Sequence, residues 1–598
     1  MTAPANDSGL SRRRFIRDTA VAGAGLAALP GASAAAARPK RRTRRTVAIF
    51  GAGVGGLTAA QEMRERGFDV VVYERKALGG KSRSNTVPGS ARGGRRELPG
   101  EHGLRFVPGF YHNLPDTMRR IPVAGNENGV EGNLIATRSS SFARDGGRED
   151  LVFPPDSQEA SGESLFQWLN GGFTQGSNIP PQEIAYLSNR LAIFFSSSDE
   201  RRLGQWEHVS WWDYLNADRR SEEYRRLLVN GVTRNFVAAK PQLASTRTIG
   251  RIFEAFAYTS MRRDGGGEFD RVLNAPTNEA WIDPWVKHLR KLGVRFRSGT
   301  VRSLALKRGR IASACVRDSK GRTRTVDADW FVCAMPGDRA RSLWTPALRR
   351  ADPRLDAMRT LQTAWANGIQ FYLRDEVPVL HGHISYVDSP WALTSLSQAQ
   401  MWEGRDFARD YGDGSVRDCL SVTLSDWDDP GILFGRPASR CTPDEISQEV
   451  WAQVKAHLED TGRTYLPEGV LHSYHLDPAI SYKPRRPGDG GVRARNDEPL
   501  MLNAVGSWSS RPEARTAIPN LFLAADYVKV DIDLATMEGA NEAARAATNA
   551  LLDASGSNAP RAEIRELYRP PEFEEAKRQD AERFARGEPH VLDVPEPT

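Results

Sequence analysis

The chain contains few cysteines, and none of them is arranged for metal binding or redox exchange. Only Cys315, Cys333, Cys419 and Cys441 occur among 598 residues, and no pair is spaced as C-x-x-C. The pattern therefore indicates neither a zinc site nor a dithiol redox centre. Cys315 and Cys333 lie in apolar, strand-like runs, which predicts buried core thiols.

Long apolar runs and a strong excess of one charge are also missing. No stretch of 18 or more apolar residues occurs, so the sequence predicts no membrane-spanning helix. The formal net charge is +7, but residues 38–45 supply six positive charges and residues 1–34 a net charge of +2. The rest of the chain lies within one charge of neutrality, and nucleic acid is not indicated as a partner. With 598 residues and 39% hydrophobic content, we expect a globular protein of two domains plus tails.

The first 45 residues have the features of an export signal followed by a linker. Ser11–Arg17 (SRRRFIR) matches the twin-arginine pattern, Thr19–Leu29 is mildly apolar, and Ala32–Ala34 is an A-x-A cleavage site. We therefore predict a twin-arginine signal peptide at 1–34, the twin-arginine translocase as a partner and an extracytoplasmic location. Residues 35–45 form a basic linker that can contact anionic lipid at a membrane surface.

Residues after this linker predict a strand, a glycine turn, a helix and a second strand. Val47–Phe50 is apolar, residues 51–56 read G-A-G-V-G-G, and a helix follows as far as Arg66. Asp69–Tyr73 forms the second strand, and Glu74 stands at its end. A G-x-G-x-x-G turn in this context, with an acid about 20 residues later, is typical of a dinucleotide site.

Each part of this motif has a physical role. Gly51 permits the tight turn, Gly53 lets the backbone approach a pyrophosphate, and Gly56 lets the helix pack closely on the strand. The helix N-terminus offers free N–H groups to the phosphates. Glu74, 23 residues after Gly51, can accept hydrogen bonds from both ribose hydroxyls of an adenosine.

A second candidate half-site lies near the C-terminus. Asn520–Ala525 (NLFLAA) predicts another apolar strand, and it ends at Asp526. An alanine-rich helix begins near Thr536 and continues to Leu552. An acid at a strand end, followed by a helix N-terminus, suits the ribityl–pyrophosphate part of FAD and the flavin edge that gains charge on reduction.

These motifs together resemble the superfamily of flavin amine oxidases and phytoene desaturases. The D-Y-x-K…A-T-M-E-G-A block at residues 526–540 is most similar to plant-type phytoene and ζ-carotene desaturases. It also resembles squalene-associated desaturases and hydroxysqualene dehydroxylases. Gly79–Lys81 (GGK) and residues 332–336 (VCAMP) are similar to the same group. Two positions depart from the pattern: Arg105 replaces the usual histidine, and Ala525 replaces a glycine.

The resemblance implies FAD as cofactor. It is expected to be non-covalent, because no cysteine lies in the S-G-G-C context that carries covalent flavin in some amine oxidases. The predicted FAD contacts are Gly51, Gly53, Val54, Gly55, Gly56, Glu74, Arg75, Gly80, Lys81, Ser82, Arg83, Val301, Asp526, Met537, Glu538 and Ala540.

The separation of the two half-sites predicts an α/β fold with a discontinuous FAD-binding Rossmann-like domain and an inserted α+β substrate domain. We assign 46–125, 285–346 and 504–555 to the FAD domain, 126–284 and 347–503 to the substrate domain, and 556–598 to a charged tail. Within the substrate domain, the first insert, at about 160–280, reads as mostly helical. Lys483–Asp497 is rich in glycine, proline and charge and reads as a loop.

The desaturase-like motifs favour a long apolar substrate of the isoprenoid type, oxidised by hydride transfer, with a quinone or oxygen as electron acceptor. Two alternatives stay open: an amine oxidase that releases hydrogen peroxide, and a redox-silent flavin-binding assembly protein. His102 and Arg105, in the segment E-H-G-L-R-F, are the candidate catalytic residues. His102 could carry a proton, whereas arginine cannot act as a base at neutral pH.

Aromatic residues offer a weaker indication of the substrate. Trp508 and Tyr527 are candidates for the aromatic pair of an amine oxidase, although packing is the preferred interpretation. A second group could line an apolar tunnel or simply form core: Trp206, Trp211, Trp212, Trp391, Trp402 and Trp427.

Overall fold

Apolar segments that are far apart in the sequence meet in one parallel sheet. The computed structural model describes residues 45–103, 105–153, 177–484 and 492–594. The predicted signal peptide, with most of the basic linker, lies outside the described residues. The strand order is Leu521–Leu523, Trp330–Cys333, Thr46–Phe50, Asp69–Glu74 and Arg295–Ser298, and all neighbours are parallel. Parallel sheets are usually covered on both faces, which explains why Leu521–Leu523, Trp330–Cys333 and Thr46–Phe50 are apolar, whereas the edge strand Arg295–Ser298 is mostly exposed.

Helices and a small antiparallel sheet complete this FAD-type domain. Val54–Glu65 packs against Met537–Ser555. The antiparallel sheet consists of Thr300–Lys307, Arg310–Arg317 and Thr323–Val326. The N-terminal and C-terminal halves of the predicted FAD site therefore share one hydrophobic core.

A second, mixed sheet of seven strands carries the other domain. Its strand order is Leu471–Leu476, Asn367–Leu373, Asp418–Leu424, Leu393–Ser397, Ile384–Tyr386, Ser140–Ala143 and Leu151–Phe153. Pro443–Leu458 packs on it and begins with a complete capping box between Thr442 and Glu445.

The described part of the first insert is mostly helical, as the sequence predicts. Its main helices are Pro181–Ser196, Asp199–Gly204, Trp211–Tyr214 and Thr246–Ser260, with a π-helix at Arg225–Asn235. The further helices are Asn113–Arg119, Glu222–Tyr224, Asp283–Lys291, Gly337–Ala340, Pro346–Ala351, Arg354–Ala357, Phe407–Asp410 and Ser507–Ser510.

One segment was predicted to be a loop, and this was wrong for its two described ends, whereas residues 485–491 lie outside the described residues. Lys483–Asp497 contributes to an antiparallel pair formed by Ile480–Pro484 and Val492–Asn496. The glycine, proline and charge content of this segment concealed the pairing, although the alternating arginines of Val492–Asn496 are compatible with an exposed strand. The remaining short strands are Ser84–Thr86, Pro99–Glu101, Leu134–Ala136, Arg271–Leu273, Thr363–Ala364 and Leu500–Met501.

The C-terminal tail is attached to the helical insert. Its helix, Glu574–Ala585, places Asp580 against Arg201, with both side chains 2% exposed and Nε 2.8 Å from Oδ1. Asp580 also accepts a hydrogen bond from the backbone N–H of Ser198. Among the described residues, no helix combines the length and apolarity needed to cross a membrane.

Candidate active site

A single cavity of about 1530 Å³ connects the parallel sheet with the second domain. The first glycine turn, the strand end at Asp526 and the start of the helix Met537–Ser555 line one part. The mixed sheet and the insert helices line the other part. Pockets for one drug-sized ligand occupy about 300–1,000 Å³, so this cavity has room for a cofactor and a second molecule.

The glycine turn is shaped to receive a ligand. Gly51 has a φ of +107°, and a Cβ there would lie 2.5 Å from the carbonyl oxygen of Ala334. A Cβ on Gly56 would lie 2.0 Å from the carbonyl oxygen of Gly51, so helix and strand pack closely at this point. In contrast, a Cβ on Gly53 would meet only Gly80, at 3.7 Å, and the space in front of it belongs to the cavity. These contacts fit the predicted roles of the three glycines in binding a pyrophosphate.

Glu74 lies in the cavity wall with acceptor capacity to spare. One carboxylate oxygen accepts the backbone N–H of Ala52 at 2.8 Å, and the other accepts that of Lys76 at 2.9 Å. A carboxylate can accept about four hydrogen bonds. Glu74 can therefore still accept hydrogen bonds from two ribose hydroxyls.

Lys81 connects the two predicted half-sites. Its Nζ lies 3.3 Å from Oδ2 of Asp526 and 3.2 Å from the carbonyl oxygen of Pro499. Both side chains line the cavity. The pair gives the cavity wall a cation and an anion, which suit the pyrophosphate and the ribityl hydroxyls of FAD.

Most of the predicted FAD contacts are in the cavity wall, and two are not. The wall contains Gly51, Gly53, Val54, Gly55, Glu74, Arg75, Gly80, Lys81, Ser82, Arg83, Val301, Asp526, Met537 and Ala540. Gly56 lies behind the wall, as its packing role requires. The prediction that the Glu538 side chain contacts FAD was wrong, because its carboxylate accepts the backbone N–H groups of His112, Asn113 and Leu114. It caps the helix Asn113–Arg119 instead of facing the cofactor space, as expected for an anion at a helix N-terminus.

His102 lines the cavity and is held by acidic groups. Its Nδ1 lies 2.6 Å from Oδ2 of Asp477 and 3.8 Å from Oε2 of Glu498. Burial alone would raise the pKa of Asp477, but the neighbouring His102 holds it below the ordinary aspartate value. The two carboxylates therefore hold His102 in the cavity wall, and its role in proton transfer stays a prediction.

Arg105 connects two segments of the cavity wall through hydrogen bonds. Its guanidinium donates to the carbonyl oxygens of Gly103, Lys81 and Arg83 at 2.9–3.3 Å. It also lies 3.4 Å from the Glu101 carboxylate, and burial lowers its pKa. These contacts join the segments around residues 81–83 and 101–105.

Phenylalanines and aliphatic side chains, and none of the candidate tryptophans, form the apolar part of the cavity. Trp206, Trp211, Trp391, Trp402 and Trp427 are buried in hydrophobic clusters, Trp212 is partly buried, and none of the six lines the cavity. The apolar wall instead contains Phe106, Phe142, Phe153, Phe236, Phe253, Phe256 and Phe269. We call this part the phenylalanine chamber.

The candidate aromatic pair of an amine oxidase is also elsewhere. Trp508 stacks with the guanidinium of Arg247 at 3.8 Å, and Tyr527 is fully buried with its hydroxyl near Cys333. Neither side chain lines the cavity. Packing is therefore the correct interpretation of both residues.

Sequence reasoning missed an acid–histidine pair in the chamber. Asp270 and His383 both line the cavity, and Oδ2 lies 2.6 Å from Nδ1. They are 113 residues apart and belong to no motif, so only the local pattern H-G-H at residues 381–383 could have drawn attention to the histidine.

Comparisons with known proteins agree with this geometry. The family model described as flavin containing amine oxidoreductase matches residues 54–552. Among curated proteins, the chain is similar to the zeta-carotene desaturase of Synechocystis sp., with 22% identity over 535 residues, covering 85% of this chain and 97% of the relative.

Two solved structures show the same fold. Cyclohexylamine oxidase from Brevibacterium oxydans IH-35A has a TM-score of 0.57 at 12% identity, covering 86% of this chain and all of that one. An oxidoreductase from Methanosarcina mazei has a TM-score of 0.53 at 14% identity, covering 85% of this chain and all of that one. The match to the family model covers most of the chain, and the glycine turn fits the cofactor. The protein therefore belongs to the flavin-containing amine oxidoreductase family and is an FAD-dependent oxidoreductase.

Proposed function

We propose that the protein oxidises a long apolar substrate of the isoprenoid or carotenoid type, using non-covalent FAD. The observation that carries the proposal is the continuity of the cavity from the glycine turn to the phenylalanine chamber. A chamber lined by phenylalanine favours a hydrocarbon chain, because burial of apolar surface drives binding. The similarity to a zeta-carotene desaturase supports the same substrate class.

The protein's own residues would position the two reactants. Glu74 would hold the adenosine end of FAD, the N-terminus of the helix Val54–Glu65 together with Lys81 the pyrophosphate, and Asp526 the ribityl end. Bound FAD supplies hydride acceptance. The phenylalanine chamber would orient the substrate and exclude water. None of the four cysteines lines the cavity, which supports non-covalent binding.

An apolar cavity mouth supports uptake of such a substrate from a membrane surface. Val152 and Phe236 line the cavity and are 56% and 43% exposed. Exposed apolar side chains at a pocket entrance favour contact with lipid or with another apolar surface. Peripheral membrane contact, export by the twin-arginine route and a quinone or oxygen as final electron acceptor complete the proposal.

Amine oxidation is the second candidate. The buried Asp270 carboxylate in the chamber favours it, because a carboxylate can bind a substrate ammonium group. The position of Trp508 and Tyr527 outside the cavity argues against it.

Anaerobic flavin bleaching separates the two functions. The FAD-loaded protein would be mixed with ζ-carotene or squalene in detergent, and in parallel with cyclohexylamine or putrescine. We expect loss of the flavin absorbance with a polyene and none with an amine. Bleaching by an amine, with hydrogen peroxide release in air, would replace the proposal by the second candidate.

A further inference from the structure

The Asp270–His383 pair has the geometry of an oriented proton acceptor. His383 precedes the strand Ile384–Tyr386, and Asp270 precedes the strand Arg271–Leu273. The aspartate Oδ2 lies 2.6 Å from Nδ1 of His383 and accepts the hydroxyl of Thr137 at 3.1 Å. The residues are 1% and 8% exposed, respectively.

The other ring nitrogen of His383 makes no hydrogen bond to the described residues. In the described part of the chain, Nε2 is buried without a hydrogen-bond partner, although His383 lines the cavity. Buried polar atoms are nearly always paired, so this nitrogen, like Nε2 of His102 in the same wall, would be paired by a group that arrives with a ligand. The contact with the carboxylate favours the tautomer with the proton on Nδ1, in which a neutral ring carries its lone pair on Nε2.

His383 stands at the border between the two parts of the cavity. Its ring meets Phe106 edge to face, with centroids 5.5 Å apart. Phe106 directly follows Arg105, whose guanidinium donates to the carbonyl oxygens of Lys81 and Arg83 beside the glycine turn. On its other face Phe106 stacks with Phe256 of the chamber, at 5.9 Å. A substrate in the chamber with its reactive carbon directed toward the glycine turn would therefore pass the ring of His383.

We propose that His383 is a catalytic residue that accepts the substrate proton at Nε2, and that Asp270 orients and stabilises it. The inference rests on the proposed desaturation. One substrate carbon would lose its hydrogen as hydride to the bound cofactor. The neighbouring carbon would lose its hydrogen as a proton to Nε2, and the electron pair of that C–H bond would form the new C=C bond. Asp270 would balance the positive charge of the imidazolium inside the apolar chamber.

His102 provides an internal comparison. It also lies beside an aspartate, but its neighbours include Glu498, which is bound to Arg83 of the FAD part. We expect substitutions of His102 to alter the flavin spectrum and FAD affinity. Substitutions of His383 should leave both unchanged.

The test uses the FAD-loaded full chain and ζ-carotene in detergent under anaerobic conditions. Rapid mixing would give the bleaching rate of the wild type, His383→Gln, His383→Ala, Asp270→Asn and, as a control, His381→Gln. His381 lies two residues before His383 and is not in the cavity wall. Loss of a general base typically costs about 10²–10⁴-fold in rate. We expect such a loss for His383→Gln and a smaller loss for Asp270→Asn, with flavin content unchanged.

Chemical rescue separates a catalytic from a structural role. Added imidazole should restore part of the bleaching rate of His383→Ala, and none of that of Asp270→Asn. If His383→Gln bleaches within twofold of the wild-type rate, or if imidazole does not rescue His383→Ala, His383 is not the proton acceptor. Either result would leave the proposed function standing. If no polyene bleaches the wild type, the proposed function fails, and the proton-acceptor role fails with it.

Discussion

The ammonium group of Lys81 lies 3.3 Å from the carboxylate of Asp526, although 445 residues separate them. This contact joins the first glycine-rich region to the C-terminal strand end, so both chain segments contribute to one cofactor site. Removing the cation would leave a carboxylate next to the anionic pyrophosphate.

We expect Lys81→Met to weaken FAD binding by roughly ten- to a hundredfold, since a charge-assisted hydrogen bond contributes about 1.5–3 kcal/mol. Adding Asp526→Asn should restore part of the affinity, because the second change removes the uncompensated charge. Fluorescence titration of the apoprotein measures both. An unchanged affinity for Lys81→Met would mean that the cation does not face the cofactor.

Glu74→Ala should affect only the adenosine end of the cofactor. FAD affinity should fall about ten- to a hundredfold, whereas FMN, which lacks that end, should bind as before. Glu582→Ala, on the exposed face of the tail helix, serves as the control. Equal losses of affinity for FAD and FMN would mean that Glu74 does not bind the adenosine end of the cofactor.

Glu538→Gln should reduce stability and leave cofactor affinity unchanged. The carboxylate caps Asn113–Arg119 through three backbone N–H groups, and a neutral amide accepts them less strongly. We expect a loss of about 1–2 kcal/mol in denaturant unfolding, typical of an impaired helix cap. A clear fall in FAD affinity with unchanged stability would restore the sequence prediction that Glu538 contacts the cofactor.

Glu542 should make the stability of the protein depend on pH. Burial raises its pKa to about 8, well above the unfolded value, so the folded protein holds a proton that the unfolded chain releases. The stability contributed by this proton is present at low pH and is lost as pH rises from about 4.5 to about 8, by at most about 1.4 kcal/mol per unit. Glu542→Gln should remove this slope, so the variant gains stability over the wild type between pH 5 and pH 8. If the wild type and Glu542→Gln differ in stability by the same amount at pH 5 and at pH 8, the raised pKa of Glu542 is contradicted.

The tail should be a structural part of the fold. Asp580→Ala leaves Arg201 buried without its carboxylate, which typically costs about 3–5 kcal/mol. Asp553→Ala breaks the exposed pair with Arg561 and should change stability by less than about 1 kcal/mol. If Asp580→Ala and Asp553→Ala lower the thermal midpoint by the same amount, the tail does not contribute to the stability of the fold.

Export remains a prediction from the sequence. Replacing Arg12 and Arg13 with lysine should retain the protein in the cytoplasm with its FAD bound, because the twin-arginine route carries folded proteins. Fractionation and flavin fluorescence check this. Undiminished export of the double variant would contradict the predicted signal.

Local patterns identified most of the residues that line the cavity near the glycine turn, because each half of the predicted site is contiguous in the sequence. The strand, turn and helix around Gly51 carry their own geometry, and Asp526 follows directly from an apolar strand. The side chain of Glu538 was assigned wrongly because its partners, His112, Asn113 and Leu114, lie 424–426 residues away. The Asp270–His383 pair could not be found for the same reason, since tertiary structure alone brings the two strand starts together. The sequence around the phenylalanines of the chamber does not distinguish residues of a cavity wall from residues of the hydrophobic core.

The most direct test of the account is a single anaerobic turnover with stoichiometric ζ-carotene and FAD-loaded protein, analysed by mass spectrometry and absorbance. We predict that one product molecule, lighter than the substrate by two hydrogens, forms for each flavin that bleaches. Recovery of unchanged polyene, with bleaching only by amines, would contradict the central claim.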